Sequence, residues 1–381
     1  MKPSLTDLPR RPRARRLLPC LLAGLIGLAP AWAAAQIRIG QPAGFTGAVA
    51  PGVKEATEGA RLVFDAVNRK GGVHGQRIEL LSVDDGFVPE RTVTLARQLI
   101  DDGVIALFLT RGTPHNEALL PLLKAQGVPL VGPSSGAMSL HKPVHPWVFN
   151  VRSSYQGETR RVVEHIGLSG MTRLAIVQVD DSFGADAVQG AILALSAKGE
   201  TPVSWQKYKR DKPEFASLMP ALNKADPQAV LFIGSAAHVA EGIHALRASG
   251  SHAQAFTLSN NASAGFVKAL GDQARGVVVT QVFPSERQTR HPFVREAAAL
   301  VAPLPGMVLS QATLEGMAAA RVLVEGLRLA GKNPTRESLR QALEGMRLDL
   351  GGLEVAYSPK DHTGASLVDI AIIDRDGHFQ R

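Results

Sequence analysis

Apolar and polar positions along the chain switch between two periods. Short, nearly continuous apolar runs at residues 37–40, 78–83, 104–109 and 128–131 read as buried strands. Amphipathic stretches with helical spacing begin between them, near Val53, Pro89 and Pro114. Each stretch carries its own punctuation: Gly71 and Gly72 close the first, Pro89 suits the opening turn of the second, and Gly103 and Gly127 follow the later ones. A second series repeats the alternation, with strands at 174–179, 203–208, 229–233 and 255–258 and helices beginning near Gly184, Pro213, His238 and Ala262. Such alternation predicts an α/β architecture of mostly parallel sheets with crossover helices, and two series predict two lobes. Beyond Pro284 the pattern turns mainly helical, at 292–301, 310–330 and 335–346, and closes with strands near 353–356 and 367–373.

Composition changes this picture little, since 381 residues, 45% of them hydrophobic and 20% charged, suffice for one or two sizeable cores. Charge changes it more. A net charge of +8 invites a nucleic-acid partner, but Lys2, Arg10, Arg11, Arg13, Arg15 and Arg16 concentrate most of it ahead of an apolar run at 17–31. The remainder is close to neutral, so nucleic acid is not an expected partner. A basic start, a short apolar run and small residues at Ala31-Trp32-Ala33 and Ala33-Ala34-Ala35 describe a secretory signal peptide over residues 1–35. The run is too short and too interrupted, by Pro19 and Pro30, for a comfortable membrane span. Cys20, the only cysteine, falls inside this segment, so the exported chain has no disulfide or thiolate chemistry.

Candidate chemistry centres on two predicted strand ends. Gly132-Pro133-Ser134-Ser135-Gly136 fits the G-x-S-x-G of a hydrolase nucleophile elbow, which makes Ser134 a candidate nucleophile. An elbow needs a helix running on from its serine, and Pro143 and Pro146 leave no room for a long one. The other reading is a pair of hydroxyls at the carboxyl edge of a sheet, where α/β proteins bind ligands. A second such edge is Thr110-Arg111-Gly112-Thr113-Pro114, with Thr113 expected as a helix N-cap and Pro114 at the first helical position. His141 and His145 are spaced for a helical metal pair, but Pro143 separates them, and no metal site is expected. Neither G-x-G-x-x-G, G-x-x-x-x-G-K-[ST] nor H-E-x-x-H occurs, so no cofactor is expected either.

Several segments taken together resemble one family. They are "GFTGAVAPGVKEATEGARLVFDAVNRKGGVHGQRIELLSVDD" at 44–85, "VPLVGPSSGA" at 128–137, "LAIVQVDDSFGADAVQG" at 174–190 and "EFASLMPALNKADPQAVLFIG" at 214–234. Their order and spacing are similar to those of type I periplasmic solute-binding proteins of the branched-chain amino-acid class, over nearly all of the chain after the signal peptide. The resemblance implies two doubly wound, Rossmann-like lobes joined by three crossovers near 152–156, 282–285 and 356–360. The N-terminal lobe would then comprise 36–152 and 285–356, and the C-terminal lobe 153–284 and 357–381. It further implies a monomeric, non-enzymatic periplasmic receptor that delivers a small solute to an ABC-type inner-membrane permease. A secreted serine hydrolase using Ser134 and a ligand-sensing module of the same fold are the alternatives.

Carried over position by position, the resemblance puts the ligand carboxylate on Thr113, Ser134 and Ser135, with Thr110 and Arg111 on the adjoining loop. Phe45 and Phe183 would cover the ligand, and Ser235 and Asn260 would face it from the second lobe. The family's first-loop tyrosine falls near Gly52 here, its second-lobe tyrosine near Ser235, and its ammonium-holding acid near Asn260 or Asn261. Those departures predict a ligand with a carboxylate but no ammonium, because a buried ammonium needs an anionic partner.

Overall fold

A computed structural model describes residues 36–381; the signal-peptide reading of residues 1–35 lies outside the described residues. In the first series, β1 (Ile37–Ala43), α1 (Ala50–Arg69), β2 (Ile78–Asp84), α2 (Pro89–Asp101), β3 (Ala106–Phe108), α3 (Thr113–Gln126), β4 (Leu130–Val131) and β5 (Val148–Phe149) follow one another. Their strands form a parallel five-stranded sheet in the order β2-β1-β3-β4-β5. The apolar runs are continuous rather than alternating because helices cover both faces of a parallel sheet.

The second series runs α4 (Tyr155–Leu168), β6 (Leu174–Val179), α5 (Ser182–Ser196), β7 (Ser204–Tyr208), α6 (Phe215–Lys224), β8 (Ala229–Ile233), α7 (Ala236–Ala248), β9 (Gln254–Thr257), α8 (Ala264–Leu270) and β10 (Val278–Gln281). The tail adds α9 (Pro292–Val301), α10 (Gln311–Leu329), α11 (Arg336–Glu344), β11 (Arg347–Asp349), β12 (Glu354–Ala356), β13 (Asp369–Ile373) and β14 (Phe379–Gln380). The second sheet has the order β14-β13-β10-β9-β8-β6-β7 and is parallel apart from β13, which runs antiparallel to both of its neighbours, β10 and β14.

Tail helices complete the first lobe. Leu314, Met317, Ala318, Val322 and Leu323 of α10 share one core with Ala56, Ala60 and Phe64 of α1. The two helices pack backbone to backbone, which requires glycine at both contact points: a Cβ on Gly59 would lie 2.2 Å from the carbonyl oxygen of Thr313, and one on Gly316 1.7 Å from that of Ala56. Helices α2 and α3 cover the opposite face through Leu99, Leu119 and Leu123.

Three details depart from the sequence reading. Helix α4 and strand β10 were not foreseen, although Tyr155, Thr159, Val162, Val163 and Ile166 make a buried stripe along α4. The third passage between lobes lies beyond 356–360: Tyr357 and Ala365 still belong to the first lobe's core, and the chain joins the second sheet only at Asp369. Thr113 is the first residue of α3 rather than its cap; Gly112 caps it, in a left-handed conformation (φ 97°) in which a Cβ would strike His115 and Phe87.

Candidate functional site

The carboxyl ends of the two parallel sheets face each other, and the side chains of the site come from the loops that leave them. Because β3 and β4 are neighbours, their loops stay paired beyond the strands: Ser134 donates its N–H to Thr110 at 2.8 Å, and Arg111 and Ser134 form an isolated parallel bridge. That pairing sets the two side chains together. Arg111 donates from Nη1 to Ser134 Oγ at 2.8 Å and from Nη2 across the lobe junction to the carbonyl oxygen of Asn260 at 2.6 Å. Its side chain is buried, and among the described residues no carboxylate lies within ion-pair distance of it. The hydroxyls of Thr113 and Ser135 are 2.9 Å apart, both buried. Thr110 stands apart from this group, since its hydroxyl donates to Asn116 Oδ1 and Asn116 Nδ2 in turn donates to Gly112.

Second-lobe residues form the facing wall. Asp181 caps α5 by accepting the N–H groups of Phe183 and Gly184, and its other oxygen holds Arg210. Arg210 also donates to Ser235 Oγ at 2.5 Å and lies over the ring of Phe87, 5.2 Å from its centroid, so it joins the two lobes. Phe87 stacks on His115 at 4.1 Å. Neither ring nitrogen of His115 has a hydrogen-bond partner, and burial pushes its pKa down to about 4, leaving the ring neutral. Phe45 and Phe87 pack against the cluster of Ala43, Val49 and Val53, and Phe183 against Tyr155 at 4.7 Å. Asn260 donates from Nδ2 to Gly234, while its Oδ1 is buried without a partner. At the mouth of the junction lies a cavity of about 640 Å³ between Gly47, Ala48 and Phe87 on one side and Asp180, Arg210 and His238 on the other.

Below this wall lies a buried charge network that sequence reasoning missed. Arg152, on the passage into α4, is 1% exposed and donates from Nη2 to Glu158 Oε1 and to Ser259 Oγ, each at 2.6 Å. Glu158 Oε2 accepts the N–H of Ser259 at 2.8 Å and the hydroxyl of Thr280. Glu315 of α10 approaches Arg152 Nη1 to 3.6 Å, and Tyr155 lies beneath the guanidinium at 4.7 Å. A lone arginine in a stretch read as a crossover was the only signal, because its partners are far along the chain.

This geometry argues against nucleophilic chemistry at Ser134. Its hydroxyl is bonded to a guanidinium, which carries no lone pair to take a proton, whereas an activated serine needs a base at that place. The chain beyond it makes a 3-10 turn at Met138–Leu140 rather than the helix of an elbow.

A family model described as periplasmic binding protein matches residues 36–378. The Leu/Ile/Val-binding protein homolog 3 of Brucella melitensis is 24% identical over 355 residues, covering 91% of this chain and 94% of its own. A substrate-binding periplasmic protein from Ralstonia solanacearum has a similar structure, with a TM-score of 0.83 and 31% identity over 90% of this chain and 99% of that one. A possible leucine/isoleucine/valine-binding protein from Rhodopirellula baltica gives a TM-score of 0.84 and 27% identity, over 91% and 96% respectively.

Proposed function

Because the chain belongs to the periplasmic binding protein family, we propose that it is a solute receptor whose lobes close on a small, carboxylate-bearing ligand for delivery to an ABC-type permease. The observation that carries this reading is Arg111. A guanidinium buried between lobes and bonded only to neutral oxygens bears most of its desolvation cost without an opposing charge. A ligand carboxylate beside Arg111 and Ser134 supplies that charge, and the hydroxyls of Thr113 and Ser135 adjoin the same place. Phe45 and Phe183 provide apolar cover, and Ser235 and Asn260 close the site from the second lobe. Opening the lobes returns Arg111 to water, so a ligand anion favours the closed form specifically, and that difference lets closure report occupancy. Similarity to proteins named for leucine, isoleucine and valine supports a hydrophobic amino acid or a related acid as the ligand. The receptor acts without catalysis, as a monomer, in the periplasm, after loss of residues 1–35.

A thermal-shift screen of amino acids, aliphatic acids, aromatic acids and amides tests this reading. A ligand present at a hundred times its Kd and bound only by the folded chain adds about 2.7 kcal/mol, so a carboxylate-bearing compound should raise the midpoint visibly. A fluorophosphonate probe should leave Ser134 unlabelled; stoichiometric labelling there would replace the receptor by the hydrolase.

A further inference from the structure

We propose that Glu315 is a specificity-determining residue that pairs with a positively charged group on the ligand, reading from the first lobe what the amides at Asn260 and Asn261 cannot. The inference rests on the receptor reading above and adds a second charge to it. Glu315 lies in the second turn of α10, its side chain 8% exposed, and it makes no hydrogen bond to any described residue. Its one ionic neighbour is Arg152 Nη1 at 3.6 Å, longer than a hydrogen bond, while Glu158 already holds the same guanidinium at 2.6 Å. Arg152 and Glu158 therefore match each other, leaving Glu315 as a surplus negative charge and Arg111 as a surplus positive one.

Both surplus charges sit at the same lobe junction. Arg152 donates to Ser259 and Arg111 to Asn260, the next residue, so the two arginines flank one short turn. Tyr155 lies within reach of all four groups: burial raises the pKa of its hydroxyl, and the charges of Arg152, Arg111, Glu158 and Glu315 act on it as well. A ligand carrying only a carboxylate answers Arg111 and adds a net negative charge to a buried group whose charges otherwise cancel. A zwitterion answers Arg111 with its carboxylate and Glu315 with its ammonium and leaves the group neutral, the cheaper arrangement at low dielectric. The expectation of a ligand without an ammonium rested on the lack of an acid at the end of β9; α10 supplies one instead.

The test is calorimetry on wild type, Glu315→Gln and Glu315→Asp, with leucine and phenylalanine set against 4-methylpentanoate and 3-phenylpropanoate, which lack only the amine. Wild type should bind at least one amino acid tenfold or more tighter than its matching acid. Glu315→Gln should remove that preference while binding the acid at least as tightly as wild type does, since the opposing negative charge is gone, and Glu315→Asp should restore part of the preference. Equal binding of acid and amino acid by wild type, or a parallel loss of both in Glu315→Gln, overturns the role of Glu315 and leaves the carboxylate receptor standing. Failure of wild type to bind any of the four overturns both together.

Discussion

Arg111→Met is expected to weaken ligand binding on the order of 10- to 100-fold, since a hydrogen bond to a charged group contributes roughly 1.5 to 3 kcal/mol and each 1.4 kcal/mol is tenfold. Folding stability should stay level or rise, because the substitution removes a buried cation that has no anionic partner in the protein. This opposition separates a binding residue from a structural one. Arg111→Lys should recover only part of the affinity: an ammonium is a single point, and here the guanidinium spans Ser134 Oγ on one lobe and the Asn260 carbonyl on the other. Titration calorimetry beside a denaturant melt reads both quantities. Lost stability with unchanged affinity would make Arg111 a strut between lobes and nothing more.

The largest effect on stability is expected at Glu158. It is fully buried and satisfies Arg152, the Ser259 amide and the Thr280 hydroxyl at once, so Glu158→Ala leaves a buried cation, a buried hydroxyl and a part-buried amide short of their acceptor. Removing one partner of a buried pair costs about 3 to 5 kcal/mol. Glu315 stands close enough to Arg152 to take over part of the pairing, which points to the lower end of that range. The double variant Arg152→Met with Glu158→Leu should be less destabilised than Glu158→Ala alone, because the buried cation leaves together with its tightest partner and only the longer contact to Glu315, at 3.6 Å, is lost besides. Urea unfolding followed by circular dichroism measures the difference. A double variant worse than Glu158→Ala would mean that hinge geometry, rather than charge pairing, is what Arg152 supplies.

Much of the scaffold was legible in the sequence because buried parallel strands require continuous apolar runs. Residues 174–179 and 229–233 were read with the bounds the structure has, and so was the helix at 292–301, which opens on a proline. Helix α4 is hard to see in the sequence because its buried stripe, Tyr155, Thr159, Val162, Val163 and Ile166, begins inside the segment that the resemblance gives to a crossover. Strand β10 follows Gly276 as an apolar run, Val277-Val278-Val279, that the same rule would have found. Thr113 was misplaced by one residue: Pro114 fits either of the first two helical positions, and a glycine can cap with its backbone alone.

The site was partly legible for a different reason. Ser134 and Arg111 lie on separate loops, and only the adjacency of β3 and β4 brings them to 2.8 Å. Sequence spacing alone left Arg111 equally able to face solvent. The pairing of Arg152 with Glu158 and Glu315 was beyond reach, since it depends on a tail helix folding back onto the first lobe. Hydroxyls at a strand end announce a place to bind; which charges converge on that place is decided by topology.

The central claim is that this cleft reads a carboxylate. Calorimetry with leucine and phenylalanine against 3-methylbutylamine and 2-phenylethylamine, which keep side chain and amine but lack the carboxyl group, tests it most directly. At least one amino acid should bind measurably and its amine at least 10-fold more weakly, the charged hydrogen bond to Arg111 being gone. Amines bound as tightly as the amino acids would contradict it.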